Sequence, residues 1–162
     1  MTPRPGRAIS RGRQMLIAIS VVGIDQLSKA LVTDRLGVGW TAPGIPGLVE
    51  LHLVHNTGAA FSLLSGSTVW LGVLSLLVTV ALCRWIWRKP HQPLWNGLAI
   101  AFLLGGTLGN GLDRWRLGYV VDFLALVPIN FPVFNIADIA INLAVICFAI
   151  DLIQQSRAPG HG

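Results

Sequence analysis

Apolar residues in this chain run on in long stretches where a soluble protein would alternate them with polar ones. Residues 15–33, 69–87, 94–112 and 133–153 are each long and apolar enough to cross roughly 30 Å of hydrocarbon as a helix. The polar signals fall between them. Lys89-Pro90-His91-Gln92-Pro93 is a short turn that cannot continue a helix, so the second and third stretches form an antiparallel hairpin. In the longer segment 34–68, glycines and prolines from Gly37 to Gly47 read as turns. Val49, Leu51 and Leu53 then alternate with Glu50, His52 and Val54, which predicts a half-buried strand. The pattern predicts one all-α integral membrane domain with four transmembrane helices, tails at 1–13 and 158–162, and outer segments at 34–68 and 113–132 that include a small β-sheet. Trp115, Tyr119, Phe123 and Phe131 in the second outer segment read as aromatics at headgroup level.

Composition sharpens this reading. With 53% hydrophobic and 12% charged residues, the 162-residue chain is not an ordinary soluble domain. Its net charge of +5 does not point to nucleic acid, because the basic residues form no patch interleaved with aromatics. They sort by side instead: Arg4, Arg7, Arg11, Arg13, Arg84, Arg88, Lys89 and Arg157 all fall at one end of the predicted spans. The positive-inside rule assigns that end, and with it both termini, to the cytoplasm. No small-residue cleavage site follows the first apolar run, which is therefore read as a retained span. Cys83 and Cys147 fall within spans as small buried residues, with no disulfide expected.

Six of the seven acids, Asp25, Asp34, Glu50, Asp113, Asp122 and Asp138, lie toward the other end, and only Asp151 lies near the basic one. An acid beside hydrocarbon is costly unless it is used or neutralised, so these are candidates for chemistry. Asp25 and Lys29 share a helix face with the acid N-terminal to the base, the favourable order for an ion pair that neutralises itself. Gly105 and Gly109 permit close helix approach. Gly106, Asn110 and Arg114 follow one another at four-residue intervals; the amide and guanidinium can hold a carbonyl or a headgroup, or Arg114 can reach out to lipid phosphate. Asn135, Asp138 and Asn142 form one stripe on the fourth span, with Asp138 about five residues inside it, roughly 7 to 8 Å deep.

A short return loop can bring Asp122 opposite Asp138. Two carboxylates held together share a proton, so one can act as base on a water while the other polarises a carbonyl. An ion pair of Asp122 with Arg114 and a helix cap at Asp138 would explain the same acids without a reaction. An ion-coupled carrier would also use intramembrane acids, though it needs access from both faces. His52 and His55 lack a third ligand, so no metal is expected.

Five stretches occur in order: Asp25-Gln26-Leu27-Ser28-Lys29, Asn56-Thr57-Gly58-Ala59-Ala60-Phe61-Ser62, Gly105 to Arg114, Val120-Val121-Asp122-Phe123 and Phe134-Asn135-Ile136-Ala137-Asp138. Together the chain resembles the lipoprotein signal peptidases, or signal peptidase II. These are bacterial inner-membrane aspartic endopeptidases that cut prolipoproteins before a diacylglyceryl-modified cysteine. The resemblance implies a catalytic pair at Asp122 and Asp138, and site-lining roles for Asn56, Asn110, Arg114 and Asn135. It also implies support from Asp25 and Lys29, and a small sheet with a short helical loop on the outer face. It further implies a monomer that uses no cofactor, with prolipoproteins and membrane lipids as partners. Gly111, Ile139 and the short Asp122 to Asp138 connection depart from the family pattern, and bear on loop shape and substrate preference.

Overall fold

The computed structural model describes residues 7–58 and 68–157. Four helices run through it: α1 (Arg11–Arg35), α2 (Thr68–Arg88), α3 (Leu94–Leu117) and α4 (Ile136–Arg157). Five short strands cap the two ends of the bundle. β1 (Ala8–Ser10) pairs antiparallel with β4 (His91–Pro93) at one end, and β2 (Thr41–Ile45), β3 (Val49–Asn56) and β5 (Val120–Leu126) form an antiparallel sheet of order β2-β3-β5 at the other.

The bundle is inside out relative to a soluble protein. Leu16, Ile19, Ile24 and Leu27 on α1, Val69, Trp70, Leu74 and Leu77 on α2, and Val145, Ile146 and Phe148 on α4 are all exposed. Apart from a few large apolar side chains such as Ile86 and Leu104, buried positions carry small or polar residues instead: Ala18, Ala101, Ala137, Gln14, Asp25, Lys29, Asn110, Asp113 and Asn135. Such an exterior is stable against lipid, where helices associate through close packing of small residues and internal polar bonds. α1, α2 and α4 are each long and apolar enough to cross a membrane.

α3 packs against all three other helices. Its central place accounts for its weaker apolar character, since Gly97, Gly105, Gly106, Gly109, Asn110, Gly111 and Asp113 are among its buried residues, beside Ala99, Ala101 and Leu104. A β-carbon on Gly106 would lie 2.5 Å from the Ala137 carbonyl oxygen, and one on Gly109 would meet Asp25 and Ala137. The predicted close approach at Gly105 and Gly109 is therefore present, and Gly106 belongs to it. Gly118, at φ 81° in the left-handed region that favours glycine, ends α3 by donating its N–H to the Arg114 carbonyl at 3.2 Å. The chain turns there directly into β5.

Several boundaries differ from those expected. Ala8–Ser10 is a strand and α1 begins at Arg11, so residues 8–13 are not tail: the Arg11 N–H donates to the Pro90 carbonyl at 2.7 Å and the Leu94 N–H to the Arg7 carbonyl at 2.9 Å. The hairpin turn supplies β4. α3 continues to Leu117, which puts Asp113 and Arg114 on the helix. The second outer segment contributes β5 to the sheet, and its Phe123 is buried, not at a surface. α4 starts at Ile136, so Asp138 stands in its first turn and not five residues inside. No helical loop is found among the described residues of the connections. Ala59 to Ser62 of the second matched stretch, and residues 1–6 and 158–162 of the tails, lie outside them.

The crossing of α3 over α4 predicts a sharp contrast between two glycines. Gly106→Val should lower stability by about 1–3 kcal/mol through overpacking. Gly23→Ala, where an added β-carbon meets nothing within 4 Å, should leave it unchanged or raise it by about 0.5–1 kcal/mol. Thermal unfolding in detergent separates the two.

Candidate active site

Strand pairing sets the first carboxylate. Val54 faces Asp122 in the β3–β5 register, so Asn56, two residues along, is the diagonal neighbour of Asp122. Asn56 Nδ2 donates to Asp122 Oδ2 at 2.8 Å. After β5 the chain doubles back at once. The Phe123 and Leu124 N–H groups donate to the Phe134 carbonyl at 3.0 and 2.8 Å, and the Phe134 N–H donates to Leu124 at 3.0 Å. This zip makes the short connection sufficient, because it delivers Asn135 beside Asp122 and starts α4 there.

Asn135 joins the two carboxylates. Its Nδ2 donates to Asp122 Oδ1 at 2.6 Å, while its Oδ1 accepts the Asp138 N–H at 2.9 Å and its own N–H donates to Asp138 Oδ2 at 3.1 Å. The reciprocal bonds to Asp138 form a capping box at the start of α4. The expected helix cap at Asp138 is thus real, but it occupies one oxygen only. Asp138 Oδ1 accepts Asn110 Nδ2 at 2.8 Å.

Beneath the pair lies a buried charge cluster. Lys29 Nζ is 2.8 Å from Asp25 Oδ2 and 2.8 Å from Asp113 Oδ2, and donates to Asn110 Oδ1 at 3.1 Å. Asp25 Oδ1 accepts the Ala137 N–H at 2.9 Å, and Asp113 Oδ2 accepts the Val121 N–H at 3.1 Å. Gln26 Nε2 donates to Asp113 Oδ1 at 2.8 Å. The expected Asp25–Lys29 pair is present within a larger cluster. Asp113 and Gln26 were not foreseen as members. The available signal was spacing: Asp113 follows Asn110 by three residues, which puts both on one side of α3.

Asp122, Asp138, Asn56, Asn110 and Arg114 all line one cavity of about 1300 Å³. Its apolar wall includes Leu74 of α2 and Ile139, Leu143 and Ile146 of α4. Arg114 does not pair with Asp122; Nη2 donates to the Gly58 carbonyl at 3.2 Å, and Nε is buried without a partner among the described residues. Asn142 also lines the cavity, with its amide spent on the Asp138 carbonyl at 2.9 Å. Burial pushes the Asp122 carboxyl up to about 6; the Asn56 hydrogen bond opposes the rise, and the negative charge of Asp138 adds to it.

The fold is that of bacterial membrane enzymes. A solved structure titled as a bacterial membrane enzyme, obtained by the in meso method, superposes with a TM-score of 0.85 at 31% identity, covering 93% of each chain. A second gives 0.78 at 33% identity, covering 87% of this chain and 92% of the other. Residues 17–154 match the family model of signal peptidase II, and the chain belongs to that family, a family of peptidases. The lipoprotein signal peptidase of Parasynechococcus marenigrum is 56% identical over 97% of this chain and 99% of its own length. That of Synechococcus sp. is 51% identical over 89% and 98%, and that of Gloeobacter violaceus 46% over 89% and 84%. Membership of a peptidase family removes the carrier alternative.

Among the described residues Lys29 is the one cation placed between Asp25 and Asp113, and the cluster makes its loss severe. Lys29→Met leaves both carboxylates buried without their counter-charge and should destabilise the protein by about 3–5 kcal/mol. Lys29→Met combined with Asp113→Asn should recover part of that loss. Thermal unfolding of both variants in detergent measures it; a single variant as stable as the parent would show that the cluster does not hold the fold.

Proposed function

We propose that this chain removes the signal peptide of prolipoproteins, cutting before the diacylglyceryl-modified cysteine, with water activated between Asp122 and Asp138. The observation that carries the reading is that Asn135 bridges these two carboxylates at the wall of a single cavity. The substrate follows from the relatives, which are named lipoprotein signal peptidases.

Asp138 is the ionised member in this mechanism. It stands in the first turn of α4, where the helix dipole favours negative charge, and accepts two fixed N–H donors. Asp122 lies on a strand with no such dipole and carries the proton. Asp138 takes a proton from water as its oxygen adds to the scissile carbonyl carbon, and Asp122 gives its proton to the carbonyl oxygen. On collapse, a hydroxyl of the intermediate returns a proton to Asp122, Asp138 delivers its own to the leaving nitrogen, and the C–N bond breaks. Asn56, Asn110 and Asn135 hold the carboxylates, Arg114 offers a donor to a substrate carbonyl, and Asp25 and Lys29 support the pair from below.

In this reading α3 is the fourth span, and the protein acts as a monomer in the bacterial inner membrane. Both termini are cytoplasmic and the site faces outward. The basic residues Arg11, Arg84, Arg88 and Lys89 support that orientation, since they lie at the end opposite the carboxylates. A scissile bond tethered by acyl chains near the headgroups then meets the pair without leaving the bilayer.

Purified protein incubated with a diacylglyceryl prolipoprotein tests the assignment. Asp122→Asn and Asp138→Asn should each lower cleavage at least about a hundredfold while folding is kept. Retained cleavage in either would sink it. The pH profile adds an independent check. The proton that the mechanism needs on Asp122 is lost near pH 6, so kcat/KM of the free enzyme should fall as pH rises through that value. Asn56→Ala removes a hydrogen bond that lowers the Asp122 value, so the falling limb should move to higher pH; a limb that stays put would exclude Asp122 as the acid.

A further inference from the structure

The end of the bundle away from the carboxylate pair holds a second cavity, of about 630 Å³, between the β1–β4 sheet, the start of α3 and the end of α4. Arg7, His91, Gln92, Trp95, Asp151 and Gln154 are among the residues that line it. Asp151 is the residue that the peptidase mechanism leaves unexplained. It is only 4% exposed, yet no basic side chain reaches it among the described residues. Its Oδ2 accepts Gln155 Nε2 at 2.6 Å and Asn96 Nδ2 at 3.4 Å, both neutral donors. Its Oδ1 accepts no hydrogen bond from the described residues, and Asp151 lines the cavity.

A buried carboxylate served only by amides is under-compensated, and the compensation that costs least is a cation. The cavity also carries the opposite charge on its rim, at exposed Arg7. Leu152 and Ile153, next to Asp151 in sequence, are about half exposed, so the apolar exterior of α4 reaches this end of the bundle. We propose that this cavity binds a ligand bearing a phosphate and a protonated amine a few bonds apart, with the amine on Asp151 Oδ1 and the phosphate on Arg7. Two sources share that chemistry, the headgroup of an aminophospholipid and a free phosphoamine. The site is separate from the peptidase centre and stands or falls independently of it.

The test uses full-length protein in nanodiscs of phosphatidylcholine doped with phosphatidylethanolamine or phosphatidylglycerol, with retained lipid read by native mass spectrometry. Phosphatidylethanolamine should be retained over phosphatidylglycerol by about tenfold, the ratio that one charge-assisted bond supplies. Asp151→Asn should abolish the preference. Arg7→Gln, at an exposed residue whose loss does not threaten folding, should weaken retention of both lipids. Free phosphoethanolamine that displaces the lipid at millimolar concentration would assign the site to the soluble source, and failure to displace it would assign it to the lipid. Equal retention of the two lipids by the parent protein, or an unchanged preference in Asp151→Asn, would overturn the proposal.

Discussion

One ammonium group holds the architecture of this protein together. Lys29 sits between Asp25 and Asp113, and each acid also accepts a backbone N–H of a different element: Asp25 from Ala137 at the start of α4, Asp113 from Val121 in β5. A single charge on α1 therefore fixes α3, α4 and the sheet relative to one another. In a bilayer this is a strong constraint, because no hydrophobic force distinguishes one helix pairing from another, and the polar bonds and close glycine contacts do the selecting. The cluster carries two negative charges against one positive, so it also sets the field that the carboxylate pair above it experiences.

The same logic orients the three asparagines. Each one has its amide oxygen engaged by a donor that cannot reverse: Lys29 Nζ at Asn110, the Gly58 N–H at Asn56, and the Asp138 N–H at Asn135. Their NH₂ groups are thereby forced toward the carboxylates. Asp122 receives Asn56 and Asn135, and Asp138 receives Asn110 together with the Asn135 backbone. Asparagine at these positions is a choice of polarity as well as size. An aspartate there would present an acceptor to an acceptor, and a leucine would leave carboxylates buried without donors.

Much of this was legible in the sequence, and what was not has physical causes. Long apolar runs gave the helices, because length and hydropathy alone decide membrane crossing. The four-residue spacing of Asp25 and Lys29 gave their ion pair. The ordered stretches gave the family and picked out Asn56, Asn110, Arg114, Asp122 and Asp138, which line one cavity, while Asn135 is fully buried and joins the two carboxylates from behind that wall. Strand β5 was missed because Val120 to Leu126, apolar apart from Asp122, does not alternate and lies beside aromatics, a pattern that also describes an interfacial loop; only pairing with β3 makes it a strand. The start of α4 was misplaced because Val133 and Phe134 extend the apolar run, whereas Phe134 is claimed by Leu124 across the return loop. The place of Asp113 in the cluster escaped notice because its side-chain partners, Lys29 and Gln26, lie far away in sequence, on α1.

Placement of the cavity follows from how the helices pack. α2 and α4 each lie against α3 but make little contact with one another, and the cavity occupies the side between them. Leu74 on α2 and Leu143 and Ile146 on α4 are lining residues and exposed residues at once. The apolar wall of the cavity is therefore continuous with the outer surface of the bundle. A substrate carried by acyl chains can enter sideways along that wall, its hydrocarbon staying against hydrocarbon throughout, and present only its peptide bond to the polar floor. The buried carboxylates below that floor are the ones paired with Lys29, and those of Asp122 and Asp138 are capped by amides. In the proposed reaction, an inside-out bundle thus joins two environments that a soluble active site must keep apart: water and paired carboxylates on one side of a scissile bond, lipid on the other.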